Sequence, residues 1–251
     1  MKRNPLLTAH TGCMGTPDNS LLSIETALLS GADIVEEDIL ITSDGVLVFA
    51  HDDNVYTVDG TEYRISQMSY GELSQLAVKA HNGSSDGNET IRILSLASVM
   101  PILLASGKTI NLDMKSDDSV EPVSRFVDIN GLYDQVFLSG CESVRAHYVN
   151  SINPRLRKLL NADASLFQTG NYMEGVQISC QQALSANCFG LNVNYRVVEP
   201  ALLQAAARHK LDVYIWTVHT EAEMKYFMEM GVSSITSRNI SALVQVREGE
   251  S

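Results

Sequence analysis

The sequence has no hydrophobic run long enough to cross a membrane, although 45% of its 251 residues are hydrophobic. A membrane-spanning helix needs roughly 18 or more consecutive apolar residues. The first ten residues, MKRNPLLTAH, have a short basic start but lack the apolar stretch of a signal peptide. We therefore expect a cytoplasmic protein without stable membrane association. The alternative is a signal that was removed before residue 1.

Positive charge is scarce: 18 lysines and arginines face 30 acidic residues, which gives a formal net charge of −12. Such a chain is a poor partner for nucleic acid or for an acidic membrane surface, because both are polyanions. A small anionic substrate would need cations gathered locally at its site. No sequence feature indicates an oligomeric state.

Cysteine is also scarce, and the four cysteines lack the spacing of a metal knuckle or the density of a disulfide scaffold. None adjoins a histidine in a way that suggests a thiol nucleophile. We expect reduced thiols at all four positions, which are Cys13, Cys141, Cys180 and Cys188.

What the chain does have is a regular alternation of short apolar runs and segments of helical period, the pattern of parallel β/α units. Eight strands are predicted, at 6–10, 33–40, 109–114, 135–140, 155–160, 189–194, 212–218 and 233–237. Helix signals fall between them, including Asn19 or Ser20 as a cap, Pro200 in a first turn, and Thr220 with Glu223 as a capping box. Eight such units in this length predict a (β/α)₈ TIM barrel; a doubly wound open sheet is the alternative.

No linker, repeat or low-complexity segment divides the chain, so one domain is predicted over residues 1–251. A β-hairpin is predicted after the second strand. The stretch that follows, about 52–92, is rich in Gly, Ser, Asn and Tyr and is predicted to be an insertion over one face of the barrel.

The predicted hairpin lies in the segment DIVEEDILITSDGVLVFAHDD, residues 33–53. If residues 43–45 form its turn, Asp38 lies opposite His51 and Glu36 lies opposite Asp53. Glu36 and Asp38 share one face of their strand because side chains alternate with period two. Polar groups are therefore expected to converge there.

Barrel strands carry functional residues at their carboxyl ends, where His10, Glu36, Asp38 and Asp113 all lie in the predicted strands. Three carboxylates brought together in a cleft of low dielectric repel one another unless a cation lies among them. Oxygen-only ligands favour Mg²⁺, Ca²⁺ or Mn²⁺ over zinc. The sequence therefore predicts one divalent cation held by Glu36, Asp38 and Asp113.

Several motifs, in order and at barrel spacing, resemble those of the glycerophosphodiester phosphodiesterases. They are AHTG at 9–12, PDNS at 17–20, GADIVEEDILITSDGVLVFAHDD at 31–53, ISQMSYGELSQL at 65–76, INLDMK at 110–115 and VYIWTVHTEAEMKYFMEMGVSSITS at 213–237. The resemblance covers nearly the whole chain. It implies two catalytic histidines, His10 and His51, and places Thr11, Lys115 and Trp216 at the substrate.

The chain departs from the family pattern at Thr11, where the family has an arginine after its first histidine. A guanidinium binds a phosphate through charge-assisted hydrogen bonds, so its loss removes a phosphate contact. Three residues are candidates to replace it: Lys158, Arg196 and Arg238. A second departure lies at the end of the last strand, where Ser237 stands in place of an aspartate.

The resemblance implies metal-dependent hydrolysis of a small-molecule glycerophosphodiester to glycerol 3-phosphate and an alcohol. Two histidines with ordinary pKa values near 6.5 can act as general acid and general base. Two alternatives stay open at this point. One is a metal-dependent barrel enzyme that acts on a different phosphodiester; the other is a barrel that binds phosphate esters without turnover.

Overall fold

Short strands and helices alternate along the chain, and the computed structural model describes residues 4–81, 89–168 and 171–249. Thirteen strands occur in these residues: β1 (Leu6–Ala9), β2 (Ile34–Ile41), β3 (Leu47–Phe49), β4 (Asn54–Tyr56), β5 (Glu62–Arg64), β6 (Val78–Lys79), β7 (Thr90–Ile91), β8 (Thr109–Met114), β9 (Val136–Ser139), β10 (Leu159–Asn161), β11 (Gly190–Asn194), β12 (Asp212–Trp216) and β13 (Ser234–Ser237). The same residues contain the α-helices α1 (Leu21–Leu29), α2 (Tyr70–Leu73), α3 (Leu96–Ser106), α4 (Val120–Asn130), α5 (Ser143–Ile152), α6 (Tyr172–Ser185), α7 (Pro200–Arg208), α8 (Glu221–Met230) and α9 (Ile240–Glu248).

Eight of the strands form one parallel sheet that curves into a barrel, in the order β10, β11, β12, β13, β1, β2, β8 and β9. The two ends of this order meet at a single bridge between Leu138 and Lys158, where the Leu138 N–H also donates to the Arg157 carbonyl at 3.0 Å. Helices connect successive strands. The predicted TIM barrel is confirmed, and the open-sheet alternative is wrong.

The helix signals in the sequence act as expected. The Ser20 hydroxyl accepts the Ser23 N–H at the start of α1, and Pro200 is the first residue of α7. Thr220 and Glu223 form a reciprocal capping box at the start of α8. Among the described residues, no helix combines the length and the apolar character that a membrane crossing requires.

One barrel strand begins later than expected. The strand predicted at 155–160 is β10, which starts only at Leu159. The preceding residues form a turn after α5, because the Leu156 N–H donates to the Asn153 carbonyl at 3.1 Å. The alternating sequence RLRK resembles a strand, but Arg155 and Leu156 lie in this turn and Lys158 joins the sheet only through its bridge to Leu138.

The hairpin after β2 has the predicted turn. Gly45 has a φ of +84°, a left-handed conformation that glycine adopts readily, and the Thr42 N–H donates to the Val46 carbonyl at 3.0 Å. Residues 43–45 therefore form a three-residue loop. This loop places residue 42 against residue 46.

The hairpin register differs from the expected one by a single residue. The Ala50 N–H donates to the Asp38 carbonyl at 3.2 Å, so Asp38 does not lie opposite His51, nor Glu36 opposite Asp53. The predicted turn is right, but a loop at 43–45 places residue 42 opposite residue 46, so every pair lies one residue earlier on the second strand than we expected. The observed pairs are Ile39 with Phe49, Leu40 with Val48, and Ile41 with Leu47.

The segment inserted after this hairpin has its own small structure. Strands β4 and β5 pair antiparallel, as do β6 and β7, and α2 lies between the two pairs. It packs against the hairpin through a minor core of Leu40, Val48, Ala50, Ile65, Leu73, Val78 and Ile93. Residues 82–88 of the predicted insertion lie outside the described residues, and the assignment of residues 1–251 to one domain stays a prediction.

The interior of the barrel is closed at the amino ends of the strands by an apolar layer. Aromatic rings on β9, β12 and the turn before β11 meet edge to face, with centroids 5.5 to 5.7 Å apart. The layer consists of Leu6, Ile34, Phe137, Leu159, Phe189 and Tyr214. Because this end is filled, the interior of the barrel opens at the carboxyl ends of the strands.

Lys158 lies at the bridge that closes the barrel, and its side chain is fully buried. Its ammonium group donates to the Asn150 amide oxygen at 3.4 Å and to the Asn187 carbonyl at 3.3 Å. No carboxylate of the described residues pairs with it, and burial lowers the pKa of Lys158. This lysine therefore destabilises the fold when it is charged.

We expect Lys158 to make stability depend on pH. The unfolded chain binds the proton up to an ordinary pKa of 10.5, whereas the folded chain releases it at a lower pH. Between those two values the free energy of unfolding should rise with pH, by about 1.4 kcal/mol for each pH unit, relative to Lys158→Met. Urea unfolding of both proteins from pH 7 to pH 10.5 measures this difference, and Lys225→Met is the control for loss of an exposed lysine. Parallel curves for wild type and Lys158→Met would contradict the expectation.

Candidate active site

A cavity of about 740 Å³ opens at the carboxyl ends of the barrel strands. Six carboxylates line it, together with three histidines and three lysine or arginine side chains. The carboxylates are those of Asp18, Glu36, Asp38, Asp52, Asp113 and Glu142. A cavity with this excess of acids favours a cation and opposes an unassisted anion.

Three of these acids form a cluster. Glu36 and Asp38 project from one face of β2, and Asp113 on β8 pairs in register with Asp38. One carboxylate oxygen from each lies within 4.8 Å of the others. Glu36 and Asp38 are buried, with 7% and 3% of their surface exposed. The structure brings together the three predicted metal ligands.

The electrostatics of the cluster show that it fits a cation. Burial and the charges of Asp38 and Asp113 raise the pKa of Glu36 well above its ordinary value. The ammonium group of Lys115 lies 2.9 Å from an Asp38 oxygen and 2.5 Å from an Asp113 oxygen. Burial alone would lower the pKa of Lys115, but the charges of these two aspartates outweigh burial and raise it. A positive charge therefore already occupies part of the cluster.

Two neutral side chains orient the carboxylates, and sequence reasoning gave neither of them this role. The Asn19 amide donates to an Asp38 carboxylate oxygen at 2.9 Å and accepts the Asp38 N–H at 3.0 Å. The Ser139 hydroxyl donates to Asp113 at 2.6 Å. Such partners hold metal ligands in position. Asn19 was visible as a possible helix cap, but a contact across 19 residues of sequence needs the folded chain.

His10 follows β1 and lines the cavity beside Glu36, with 3.7 Å between its Nδ1 and a carboxylate oxygen. Nδ1 also lies 2.8 Å from the Thr11 carbonyl, which can only accept, so Nδ1 carries the hydrogen and Nε2 presents a lone pair. Burial lowers the pKa of His10; the charge of Arg238 acts in the same direction, and the Thr11 bond opposes it. The neutral ring is thereby favoured.

His51 lines the same cavity and lies beyond the end of β3. Its Nδ1 lies 3.0 Å from the Asp52 carboxylate, and 57% of its side chain is exposed. The carboxylate fixes the ring so that Nδ1 carries a hydrogen. The cavity therefore has two histidines whose Nδ1 atoms are both engaged.

Thr11 is buried next to the cavity, and its hydroxyl bonds to other parts of the protein. It donates to Glu37 at 2.6 Å and accepts the Asn19 N–H at 2.6 Å, while the Thr11 N–H donates to Glu36 at 3.2 Å. Burial raises the pKa of Glu37 well above its ordinary value, although the bond from Thr11 opposes this. Thr11 thus links the end of β1 to β2.

Trp216 at the end of β12 forms part of the cavity wall. The indole N–H of Trp216 and the amide oxygen of Asn111 on β8 are buried without a hydrogen-bond partner in the described chain. Both residues line the cavity. Unpartnered buried polar atoms are rare in folded proteins, so these two are unsatisfied groups in residues of the cavity wall.

The three candidates for a replacement phosphate ligand lie in different places. Lys158 is buried behind the barrel wall, and Arg196 is exposed, with its guanidinium 5.7 Å from the Tyr195 ring centre. Arg238, which directly follows β13, lines the cavity. Among the three, only Arg238 therefore reaches the site in the described structure.

Comparison with known proteins matches the chain to one family over most of its length. The model of the glycerophosphoryl diester phosphodiesterase family matches residues 10–241. A glycerophosphodiester phosphodiesterase of Caldanaerobacter subterraneus subsp. tengcongensis is 24% identical over 251 residues, which cover 97% of this chain and 98% of that protein. A glycerophosphodiester phosphodiesterase of Bacillus altitudinis is 22% identical over 246 residues, which cover 96% of this chain and 97% of that protein.

Solved structures agree with this match at the level of the fold. A putative glycerophosphoryl diester phosphodiesterase from Silicibacter pomeroyi superposes with a TM-score of 0.83 at 18% identity, covering 100% of this chain and 95% of that one. A phosphodiesterase of Oleispira antarctica, solved with its product sn-glycerol-3-phosphate, gives 0.78 at 18% identity, with coverage of 98% and 97%. The chain belongs to the glycerophosphoryl diester phosphodiesterase family and is a phosphoric diester hydrolase.

Proposed function

We propose that this enzyme hydrolyses glycerophosphodiesters to glycerol 3-phosphate and an alcohol, using one divalent cation and two histidines. The observation that carries the proposal is the carboxylate cluster of Glu36, Asp38 and Asp113, which lies in the same cavity as both histidines. The Oleispira antarctica structure supports the choice of substrate, because that related fold was solved with sn-glycerol-3-phosphate as its product.

Glu36, Asp38 and Asp113 would hold the cation. Their ligand atoms are all carboxylate oxygens, which suit Mg²⁺, Ca²⁺ or Mn²⁺. When bound, such an ion withdraws charge from a phosphate group and fixes its position. Asn19 and Ser139 would keep Asp38 and Asp113 oriented whether or not the ion is present.

Lys115 would bind the phosphate group. Its ammonium group is held between Asp38 and Asp113, so it lies at the edge of the metal cluster and faces the cavity. A cation that neutralises these aspartates would leave the ammonium group free to attract a phosphate oxygen. A second positive group near the cluster compensates for the acidic lining.

The histidines would move the two protons that hydrolysis requires. The lowered pKa and the free Nε2 of His10 favour it as the general base, which removes a proton from the attacking hydroxyl. His51, held by Asp52 at the exposed rim, would then protonate the leaving alcohol. The attacking hydroxyl would be that of water or of the substrate's own glycerol, and the same base would serve either. Attack by glycerol would first give a cyclic phosphate, which water would then open to glycerol 3-phosphate.

The alcohol side of the substrate would contact Trp216, which supplies a flat apolar surface and an unpartnered N–H. Thr11 stays a predicted substrate contact, and its backbone N–H donates to Glu36. The substrate is a small molecule of a size that the cavity of about 740 Å³ accepts. Cytoplasmic location and the absence of a nucleic-acid partner stay predictions from the sequence.

We expect metal binding to depend on Glu36. Glu36→Gln keeps the shape of the side chain but removes a charged ligand, so affinity for Mn²⁺ should fall at least about 100-fold in calorimetric titration. Glu37→Gln is the matched control: Glu37 is the next residue on β2 and is also buried, with its carboxylate bonded to Thr11. Equal affinities of the two variants would contradict the proposed cluster.

In wild type, chelation should abolish release of glycerol 3-phosphate from glycerophosphocholine, and added Mg²⁺, Ca²⁺ or Mn²⁺ should restore it.

We expect His10→Ala and His51→Ala each to lower kcat on glycerophosphocholine by about 100- to 10,000-fold. A diester with a p-nitrophenolate leaving group needs no general acid, so it should rescue His51→Ala and leave His10→Ala impaired. The reverse pattern would exchange the two roles. Full activity of either variant on glycerophosphocholine would remove that histidine from the mechanism.

The two alternatives predict different results in the same assays. An enzyme for another phosphodiester would hydrolyse other diesters with the same metal dependence but leave glycerophosphocholine and its relatives intact. A binding protein without turnover would hold glycerol 3-phosphate tightly and release product from no diester with any of the three metals.

A further inference from the structure

Arg238 directly follows β13, lines the cavity and pairs with Asp18. Its Nη1 donates to one carboxylate oxygen of Asp18 at 2.6 Å, and its Nη2 donates to the other at 3.3 Å. The Asp18 side chain is 9% exposed, whereas 31% of the Arg238 side chain remains exposed. The carboxylate is therefore buried behind the guanidinium, which faces the cavity.

The chain is built closely around this pair. Gly12 has a φ of +70°, and a Cβ at this position would overlap both the Asp18 carboxylate and the Arg238 guanidinium. The Met14 N–H donates to the Arg238 main-chain carbonyl at 2.8 Å. The loop after β1 and the end of β13 thus fix the guanidinium close to His10, whose pKa the Arg238 charge helps to lower.

Arg238 keeps a free edge for a ligand. Asp18 engages the end of the guanidinium formed by Nη1 and Nη2, which leaves Nε–H and the adjacent Nη2 hydrogen as a parallel pair. These hydrogens have no partner among the described residues. Two parallel N–H groups match two oxygens of a phosphate.

The other cations of the cavity are more fully engaged. Lys115 lies between Asp38 and Asp113. Arg145 donates through Nε to Asp117 and through Nη1 to two main-chain carbonyls, so its own parallel edge is interrupted. Six carboxylates line the same cavity, and an anionic phosphate therefore needs a cation presented directly to it.

We propose that Arg238 binds the phosphate group of the substrate, with Asp18 as the residue that positions it. The proposal rests on the proposed function, because it names a ligand for the phosphodiester of that same site. It also explains how a site with threonine at position 11 presents a guanidinium beside His10: the guanidinium comes from the last barrel strand.

The test measures binding of sn-glycerol 3-phosphate, inorganic phosphate and glycerol to the Mg²⁺-loaded protein by calorimetry. Arg238→Gln should bind both phosphate ligands roughly 10- to 100-fold more weakly, because it loses charge-assisted hydrogen bonds. Its affinity for Mg²⁺ in the absence of phosphate should stay that of wild type. Arg247→Gln is the matched control, since Arg247 also pairs with an aspartate, Asp33, but lies outside the cavity lining.

A double variant separates phosphate contact from the charge of Asp18. Arg238→Gln alone removes the guanidinium beside the Asp18 carboxylate, whose negative charge would then itself repel phosphate. Asp18→Asn combined with Arg238→Gln removes both charges, and phosphate binding should remain at least about 10-fold weak. Recovery of wild-type affinity in the double variant would overturn the proposal.

Two further outcomes have to be distinguished from loss of the phosphate contact: a variant that does not fold, and a wild-type protein that does not hydrolyse diesters. If thermal melting shows that Arg238→Gln is unfolded, Arg238→Lys decides, because it keeps the charge and loses the parallel N–H pair; wild-type phosphate affinity there overturns the proposal. A wild-type protein without saturable phosphate binding overturns it as well. Phosphate binding that depends on Arg238, in a wild type that hydrolyses no diester, would uphold Arg238 and contradict the proposed function instead.

Discussion

Mutual repulsion of three carboxylates, two of them buried, is the constraint around which this site is organised. Glu36, Asp38 and Asp113 share one small volume, and burial together with two neighbouring charges makes ionisation of Glu36 unfavourable. Lys115 offsets part of that repulsion, while Asn19 donates to one aspartate and keeps it from turning away. The divalent ion that we propose would offset the remainder, since it would be attracted by all three carboxylates at once.

Most of the fold could be predicted from the sequence because local signals agree with the barrel. Apolar runs, caps such as Thr220 with Glu223, and Pro200 at a first turn all act within a few residues. Two local assignments were wrong. The alternation in 155–158 suits a strand, although its first residues form a turn, and the hairpin partners were placed one residue late although the turn at 43–45 was predicted correctly.

Part of the site could likewise be predicted from the sequence, and part could not. Strand periodicity alone predicts that Glu36 and Asp38 share a face, and parallel order brings Asp113 beside them. The contacts of Asn19, Ser139 and Arg238 were not predictable, because each joins residues that are far apart in the chain and meet only in the folded protein. Arg238 reaches the cavity from the last strand to meet Asp18 near the first, across 220 residues of sequence. Only barrel closure between β1 and β13 creates that neighbourhood.

The most direct measurement of the shared cation is anomalous diffraction from crystals grown with Mn²⁺. We expect one strong anomalous peak within about 2.5 Å of an oxygen from each of Glu36, Asp38 and Asp113. The Lys115 ammonium group should then no longer lie between the two aspartates. A cluster without anomalous density, with Lys115 still bonded to both aspartates at saturating Mn²⁺, would contradict the metal-centred site.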